Sequence, residues 1–271
     1  MNINKLKLTF GILFSGAVLS VIAITTFGTS KDSIHTNTVY TAASSAPSAT
    51  QVSTRLATNE KTLDTDFYIK QCEDLIQQYF EVTISDDQYN STIELIDEYA
   101  INTIKSNEEA EINLDFERNE YTTEERDMRL QDVQRHYDYL QTKLQTLGTN
   151  YIKCDIYSKS TNNYENYVIE FDAKTNKPLL LFHDSAKNPV DVMPTMSDDE
   201  LTTIGSDYIK RFHLADIENP KIDYISTGNN CFALFKDAND PSKKVALLIN
   251  AATGKVFGIY LDGWVDFMMQ D

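Results

Sequence analysis

The sequence predicts an α+β protein in which an N-terminal transmembrane helix and a helical segment precede two units, each built from a helix and an antiparallel meander. Three observations lead to this fold class. Residues 8–28 carry no charge, apolar residues recur every three or four positions between residues 63 and 147, and apolar and polar residues alternate after Gly148. Helices produce the first of these periods and strands the second.

Residues 8–28 form the predicted membrane anchor. These 21 residues are uncharged, and a helix of that length extends ~31 Å, which matches the hydrocarbon core of a bilayer. Lys5 and Lys7 precede the span, so the positive-inside rule places residues 1–7 in the cytoplasm and the C-terminal part outside a bacterial cytoplasmic membrane. The alternative is a cleaved signal peptide, although no small-residue cleavage site follows closely. We therefore expect a single-pass protein that contacts the lipid bilayer through residues 8–28.

Residues 29–62 are predicted to form a disordered tether. Fourteen of these 34 residues are Ser or Thr and five are Ala. The isolated apolar side chains between them cannot bury enough surface to offset the entropy lost on ordering. A flexible coil of this length spans ~30–35 Å, which would keep the following domain close to the membrane.

Residues 63–122 are predicted to be mainly helical. The first helix begins near Leu63, with Asp64 or Asp66 as its N-cap. Its apolar side consists of Phe67, Cys72, Leu75, Ile76, Tyr79 and Phe80. Helical spacing of apolar residues predicts a second helix over residues 87–105. The acidic and poorly patterned residues 108–120 are predicted to be a linker or a frayed helix.

Residues 123–190 are predicted to form the first helix-plus-sheet unit. Its helix covers residues 123–147, because acidic side chains favour a helix N-terminus and Gly148 is typical of a helix end. A short hairpin turn is predicted later in the unit, with Asn176 in a left-handed conformation. Alternation predicts strands within residues 151–159, 166–172 and 177–184.

Residues 191–271 are predicted to form the second unit. Ser197 and Glu200 have the spacing of a capping box, which opens a helix extending to about His213. Trp264, Phe267 and Met268 are expected to pack back onto the body. Strands are predicted at residues 221–226, 231–236, 244–250 and 255–260.

An internal repeat relates the two units. Residues 166–182 align with residues 244–260 after a shift of 78 positions, which places Asn176 on Gly254. Asn and Gly both tolerate positive φ, so this pairing has a physical reason. We expect each unit to be a meander with a helix covering one face of its sheet.

The second unit resembles the PepSY or PepSY-like family. The residues that carry the resemblance are the capped helix SDDELTTIGSDYIKRF (197–212) and the paired strands VALLINAATGKVFGIY (245–260), with Thr253-Gly254-Lys255 at their turn. The resemblance implies a cystatin-like unit in an extracytoplasmic, non-enzymatic module that restrains a peptidase or binds a cell-envelope ligand. It supplies no catalytic residues.

Composition and motifs exclude several classes of function. The formal net charge of −17 repels phosphate backbones, so nucleic acid is not an expected partner. Cys72, Cys154 and Cys231 are far apart in sequence, and we expect them to be small buried hydrophobic residues. The four histidines are isolated, and no metal, nucleophile or nucleotide motif is present. We therefore expect no catalytic residue, no metal and no cofactor.

Tyrosines are the remaining candidates for a binding site. Several of them cluster in sequence where the helical region gives way to the sheet. Packing of helix against sheet is one explanation, and a groove for a peptide or glycan is the other. The candidate groove residues are Tyr137, Tyr151, Tyr157 and Tyr167.

The sequence thus predicts a non-catalytic binding or regulatory module of the cell envelope. Its expected partner is a protein, a peptide or a wall component, and addition of an extended peptide to an edge strand is a plausible mode of binding. Two alternatives stay open. One is the sensor subunit of an envelope signalling system, and the other is a hydrolase without a recognisable motif.

Overall fold

A computed structural model describes residues 63–118, 120–160, 164–185, 195–228 and 230–269. The predicted anchor at residues 8–28 and the predicted tether lie outside the described residues, and none of the described helices is long and apolar enough to cross a membrane. The elements are α1 (Thr65–Phe80), β1 (Tyr89–Ile96), α2 (Glu98–Glu117), α3 (Thr123–Leu147), β2 (Tyr151–Ser158), β3 (Glu165–Asp172), β4 (Pro178–Ser185), α4 (Asp198–Phe212), a 3₁₀ turn (Leu214–Asp216), β5 (Pro220–Thr227), β6 (Asn230–Asp237), β7 (Lys244–Asn250), β8 (Val256–Leu261) and α5 (Gly263–Met268).

The strands form one eight-stranded antiparallel sheet in the described part of the chain. Its order is β1-β2-β3-β4-β8-β7-β6-β5. The predicted α+β class with antiparallel meanders is confirmed. The first meander runs from β1 at one edge of the sheet to β4 at its centre, and the second runs from β5 at the other edge to β8 at the centre. Because β4 pairs with β8, the two meanders share a sheet, and each keeps one outer strand.

The junction of the two meanders is symmetric. Leu181 pairs with Ile259, and the neighbouring pairs are Leu180 with Tyr260 and Phe182 with Gly258. The 78-residue shift maps Leu181 onto Ile259, so a local twofold axis passes through this pair. The repeat units therefore meet in the isologous way that two identical subunits meet in a dimer.

The two inner hairpins share one turn geometry, as the repeat predicts. Asn176 has φ of 57° and Gly254 has φ of 69°, so both residues lie in the left-handed region. Asp172 Oδ1 accepts a hydrogen bond from Thr175 N at 2.7 Å. At the equivalent place, Asn250 Oδ1 accepts one from Thr253 N at 3.0 Å.

Helices cover both faces of the sheet. In β6, the residues Cys231, Ala233 and Phe235 belong to one apolar cluster and the intervening Phe232 and Leu234 to the other, as expected when successive side chains point to opposite faces. Helices α1 and α4 pack on the first face, and α2, α3 and α5 on the second. A sheet buried on both faces needs nearly continuous apolar strands, and the sequence VALLIN of β7 meets this need.

Helices α1 and α4 occupy equivalent places in the two units. Both lie on the first face and each precedes the outer strand of its meander. Their buried residues follow the same four-residue spacing, with Cys72 in α1 matching Gly205 in α4. A Cβ at Gly205 would lie 2.5 Å from the ring of Phe235. Helix α3, which the sequence analysis assigned to the first unit, lies on the opposite face as part of an insertion between β1 and β2.

The prediction of a helix over residues 87–105 is wrong for residues 87–97 and confirmed for residues 98–105, which belong to α2. Residues Tyr89–Ile96 form β1, and α2 begins only after Asp97, whose side chain caps it through a hydrogen bond from Ala100 N at 2.8 Å. Three- and four-residue spacing of apolar residues fits a helix, but long-range pairing of β1 with β2 decides the conformation here. The first meander therefore has a fourth, outer strand.

Residues 108–120, predicted to be a linker or a frayed helix, are helical up to Glu117 as the second half of α2. Contacts with the antiparallel helix α3 hold this poorly patterned segment in helical form. Lys105 Nζ donates to Gln134 Oε1 at 2.6 Å and its ammonium lies 4.4 Å from the centre of the Tyr137 ring. The guanidinium of Arg126 lies over the ring of Phe116.

The other predicted helices and strands are confirmed. Helix α1 is capped by Asp64, α3 runs from Thr123 to Leu147 and ends at Gly148, and Ser197 forms a capping box with Glu200 at the start of α4. The predicted strands correspond to β2 through β8. Trp264 and Phe267 are buried against the second face, as expected.

Candidate functional site

The four predicted groove tyrosines do not lie on one surface. Tyr151 and Tyr167 are 1% and 0% exposed and belong to clusters on opposite faces of the sheet. Tyr157 is 37% exposed on β2, and the Tyr137 hydroxyl on α3 donates to Asn102 Oδ1 at 3.1 Å. The register of β2 with β3 explains the separation, because Tyr167 pairs with Ile156 and shares its face, whereas Tyr151 and Tyr157 face the other way.

Tyr167 belongs to a polar and aromatic cluster near the start of β1. Its ring stacks on His183 with ring centroids 4.3 Å apart. Glu165 Oε2 accepts hydrogen bonds from the hydroxyls of Tyr89 at 2.7 Å and Tyr167 at 3.4 Å. Burial, reinforced by the carboxylate of Glu165, raises the pKa of Tyr89 to about 12. The sequence analysis missed Tyr89 and Glu165, since their proximity depends on the pairing of β1 with β2 and of β2 with β3.

An open cavity of about 510 Å³ adjoins this cluster at the start of β1. It is lined by Asp87, Gln88, Tyr89, Ser158, Lys159 and Ser160. Lys159 Nζ donates to the backbone oxygen of Asp86 at 2.5 Å, and Ser158 Oγ accepts from the backbone nitrogen of Glu165 at 3.1 Å. The lining thus offers one ammonium group, a carboxylate and hydroxyl groups where the outer strand begins.

Strand β1 presents an unpaired backbone edge beside this cavity. Its inner side pairs with β2, and within the described residues no strand pairs with its outer side. The bond from Lys159 N to Gln88 O at 2.8 Å shows that Gln88 faces β2. Antiparallel ladders alternate inward and outward groups, so the N–H and C=O groups of Ser91, Ile93 and Leu95 face away from β2. At the start of the strand, the outward N–H of Tyr89 already donates to Ser85 O at 3.1 Å.

Strand β5 is the second outer strand. It pairs with β6 on its inner side, and the described residues place no strand on its outer side. The bond from Gly228 N to Asn230 O at 3.1 Å shows that Gly228 faces β6, so the preceding Thr227 presents its N–H outward. A register shift between Ile222 and Tyr224 interrupts this strand, and such irregularities blunt an edge against further pairing. The pairing of β1 with β2 has no such shift.

A buried ion pair lies on the second face of the sheet, near the start of β2 and the end of β3. Lys143 Nζ contacts the two carboxylate oxygens of Glu170 at 2.8 and 2.6 Å, and Trp264 Nε1 donates to Glu170 Oε2 at 2.7 Å. The ammonium also lies 3.8 Å from the centre of the Tyr151 ring. Burial lowers the pKa of Lys143 to about 8, although Glu170 acts in the opposite direction.

The ion pair connects three elements rather than opening to solvent. Lys143 belongs to α3, Glu170 to β3 and Trp264 to α5, and the side chains of the pair are 3% and 5% exposed. A charge taken out of water requires such complete pairing. The cluster therefore fastens the helical insertion and the C-terminal helix to the sheet.

Within the described part of the chain, no group of three or more His, Cys, Asp or Glu side chains is arranged to hold a metal ion. Cys72, Cys154 and Cys231 are all buried and free, as expected from the sequence. His183, in β4, is 2% exposed and its ring contacts those of Phe80 and Tyr167.

The chain is similar to part of one solved structure. No family model matches the chain, and no curated protein matches it. The C-terminal domain of YpeB from Bacillus megaterium is similar over 47% of this chain and 62% of that chain, with 13% sequence identity and a TM-score of 0.33. The chain therefore spans less than two thirds of that structure.

Proposed function

We propose that this chain is a non-catalytic binding module of the cell envelope that takes up an extended segment of a protein partner along β1. Residues 8–28 would anchor it in the cytoplasmic membrane, and the domain that contains the sheet would lie outside the cell membrane. The observation that carries the proposal is the unpaired outer edge of β1, eight residues long, beside the open cavity at its start.

The helices direct binding to the sheet edges because they occupy both sheet faces. A segment that adds to an edge gains main-chain hydrogen bonds without requiring a deep pocket. Ser91, Ile93 and Leu95 supply outward N–H and C=O groups for this pairing. The side chains of β1 are mostly half-buried, so neighbouring pockets would read alternate side chains of the added segment.

Charge favours a basic partner segment. The whole chain has a formal net charge of −17, and the exposed Asp86 and Asp87 precede β1. An extended segment with Lys or Arg near its end would meet these carboxylates as it pairs with the strand. Such charges mainly raise the association rate and select the partner, and their effect falls as salt increases.

The edge is tested by selecting binders from a displayed library of random dodecapeptides on the full-length chain in detergent micelles. Ser91→Pro removes an N–H group that faces away from β2, which an edge strand tolerates, and Ser91→Ala retains it. We expect Ser91→Pro to weaken the selected peptides about tenfold or more and Ser91→Ala to leave their affinity unchanged.

Thr227→Pro is the matched control on β5, because it places proline at an outward position of the other edge. Retained affinity in this variant would support binding at β1. Equal affinity of the wild type and Ser91→Pro, with both proteins melting at similar temperatures, would refute it.

The anchoring part of the proposal has its own test. Intact cells that express the chain with a C-terminal epitope are treated with an external protease after removal of any outer layer. We expect the epitope to be digested in intact cells and the chain to be recovered with the membranes. An epitope that is protected until the cells are lysed would contradict the proposed orientation, whatever the outcome of the peptide experiment.

A further inference from the structure

A row of side chains crosses the first meander on the second face of the sheet, at the end where β1 and β3 begin. Tyr157 pairs with Asn166, and Asn166 pairs with Asp184. Successive residues of a strand point to opposite faces, so these three side chains lie on the face opposite to Tyr167 and His183. Paired residues on one face are direct neighbours, and since strands lie ~4.8 Å apart, the row extends ~10 Å from Tyr157 to Asp184.

Asn166, in the middle of this row, contains a buried oxygen without a hydrogen-bond partner. The residue is 5% exposed, and its Oδ1 atom is shielded from water and accepts no hydrogen bond within the described part of the chain. Buried side-chain acceptors are nearly always hydrogen-bonded in folded proteins. Tyr157 beside it is 37% exposed, so the row is open to solvent on this side. The unpartnered oxygen therefore indicates an acceptor that serves another molecule.

The second unit fills the equivalent row with ion pairs. The 78-residue shift maps Asn166 onto Lys244, and the pairing of Lys236 with Lys244 corresponds to that of Tyr157 with Asn166. Both lysines form ion pairs, and the partner of Lys244 is Asp266 of α5. The first unit thus has an aromatic ring and an amide where the second has two cations closed by counter-charges.

We propose that the row formed by Tyr157, Asn166 and Asp184 is a binding site for a neutral oligosaccharide. The Tyr157 ring offers a flat apolar surface on which the C–H face of a pyranose ring can stack. Hydroxyl groups at the edge of that sugar ring donate hydrogen bonds to Asn166 Oδ1 and to the Asp184 carboxyl group. Val168 and Phe182, which are half-buried in the neighbouring row, add the apolar lining that small-ligand sites combine with a few polar groups.

Charge and access define the ligand further. The formal net charge of −17 repels sugars that carry carboxylate or phosphate groups, and the row itself contains no cation. Because Asn166 Oδ1 is covered in the free chain, the exposed side chain of Tyr157 rotates to admit the sugar hydroxyl. This site uses side chains on a face of the sheet, so it is independent of the addition of a strand at the edge of β1.

The test is a titration followed by NMR on the full-length chain in micelles of dodecylphosphocholine, a detergent without a sugar headgroup. The neutral probes are chitotetraose, cellotetraose and maltotetraose. Tetragalacturonate serves as the acidic sugar, and tetraglycine serves as the peptide. We expect at least one neutral tetrasaccharide to bind with a Kd of about 10 mM or less and to shift the side-chain amide signals of Asn166. Tetragalacturonate and tetraglycine should leave these signals unchanged.

Three variants separate binding from folding. Asn166→Leu should weaken the neutral sugar about tenfold or more, while its melting temperature falls by less than about 3 °C, because an apolar side chain leaves no buried acceptor to satisfy. Tyr157→Ala should weaken the sugar to a similar extent through loss of the stacking surface. Tyr99→Ala is the matched control, because it removes a 62% exposed tyrosine on α2 and should leave the affinity unchanged.

Several outcomes would overturn the proposal. They are the absence of binding by all three neutral tetrasaccharides at about 20 mM, binding of tetraglycine in their place, and unchanged sugar affinity in Tyr157→Ala. Since Tyr157 is exposed, Tyr157→Ala is expected to fold even if Asn166→Leu does not, so this variant alone decides whether the row holds the sugar.

Discussion

Replacing Lys143 by Met should destabilise this fold more than any surface charge substitution. Lys143 contacts both oxygens of the Glu170 carboxylate, and the side chains of the pair are 3% and 5% exposed. Met approximates the length of the lysine stem but removes the ammonium. Glu170 would keep its hydrogen bond from Trp264 at 2.7 Å but would lose its direct counter-charge. The cation that remains beside it, Lys153 opposite on β2, already pairs with Asp155 at 2.9 Å.

The size of the effect follows from the loss of this direct pairing. Breaking a buried ion pair by removing one partner costs about 3–5 kcal/mol, whereas removing both partners together is often nearly neutral. We therefore expect Lys143→Met to lower the free energy of unfolding by about 3–5 kcal/mol. The double variant with Glu170→Gln should recover most of this loss, because the neutral amide can still accept the hydrogen bond from Trp264.

Denaturant unfolding at neutral pH measures both variants. Trp264 is the one tryptophan of the chain and contacts Glu170 directly, so its fluorescence reports the cluster. Lys236→Met is the matched control, since it removes a solvent-accessible pair with Asp223 at 2.8 Å and should change the free energy of unfolding by less than about 1 kcal/mol. A Lys143→Met variant as stable as this control, or a double variant no more stable than Lys143→Met, would refute the reasoning.

Three further predictions concern the packing and the charge network. Gly205→Ala should lower the free energy of unfolding by about 1–2 kcal/mol, because the new Cβ would lie 2.5 Å from the ring of Phe235 and overpacking outweighs the better helix propensity of alanine. Ile101→Ala, in α2, should lower the free energy of unfolding by about 2–5 kcal/mol because Ile101 is fully buried. Its control, Tyr99→Ala, should lower it by less than about 1 kcal/mol because Tyr99 is 62% exposed. Denaturant unfolding measures these two variants and Gly205→Ala. Asp237 accepts backbone hydrogen bonds from Asn219, Asn239 and two other residues, which lower its pKa to about 2, so its stabilising contribution is present above pH ~4 and is lost as the pH falls towards 2. In unfolding measurements between pH 5 and 2, the free energy of unfolding of Asp237→Asn should therefore fall less with decreasing pH than that of the wild type.

Local signals in the sequence were sufficient for most elements. Helix α3 begins at Thr123 and ends before Gly148, and Ser197 with Glu200 opens α4, because capping and helix-ending residues act over only a few positions. The inner hairpins were also predictable, since Asn176 and Gly254 hold the same left-handed turn in a repeat visible in the sequence.

Features that depend on distant partners were not predictable. The segment around Tyr89 and Ile93 has apolar spacing that fits a helix, yet it pairs with β2 across the whole α2–α3 insertion. The prediction of a groove lined by tyrosines was wrong for a related reason. Alternation alone places Tyr151 and Tyr157 on one face, but only the register with β3 shows that Tyr167 lies on the other. The roles of Glu165 and Glu170 likewise emerge only after the strands pair.

The proposed role depends most on the outer edge of β1, and residue-resolved amide hydrogen exchange tests it directly. The full-length chain is measured in micelles with and without a peptide selected on it. Addition of a strand predicts that the outward amides of Ser91, Ile93 and Leu95 exchange faster than their inward neighbours in the free chain and become protected with the peptide, while Thr227 on β5 does not change. Peptide binding at saturation with unchanged exchange along β1 would contradict the proposed edge.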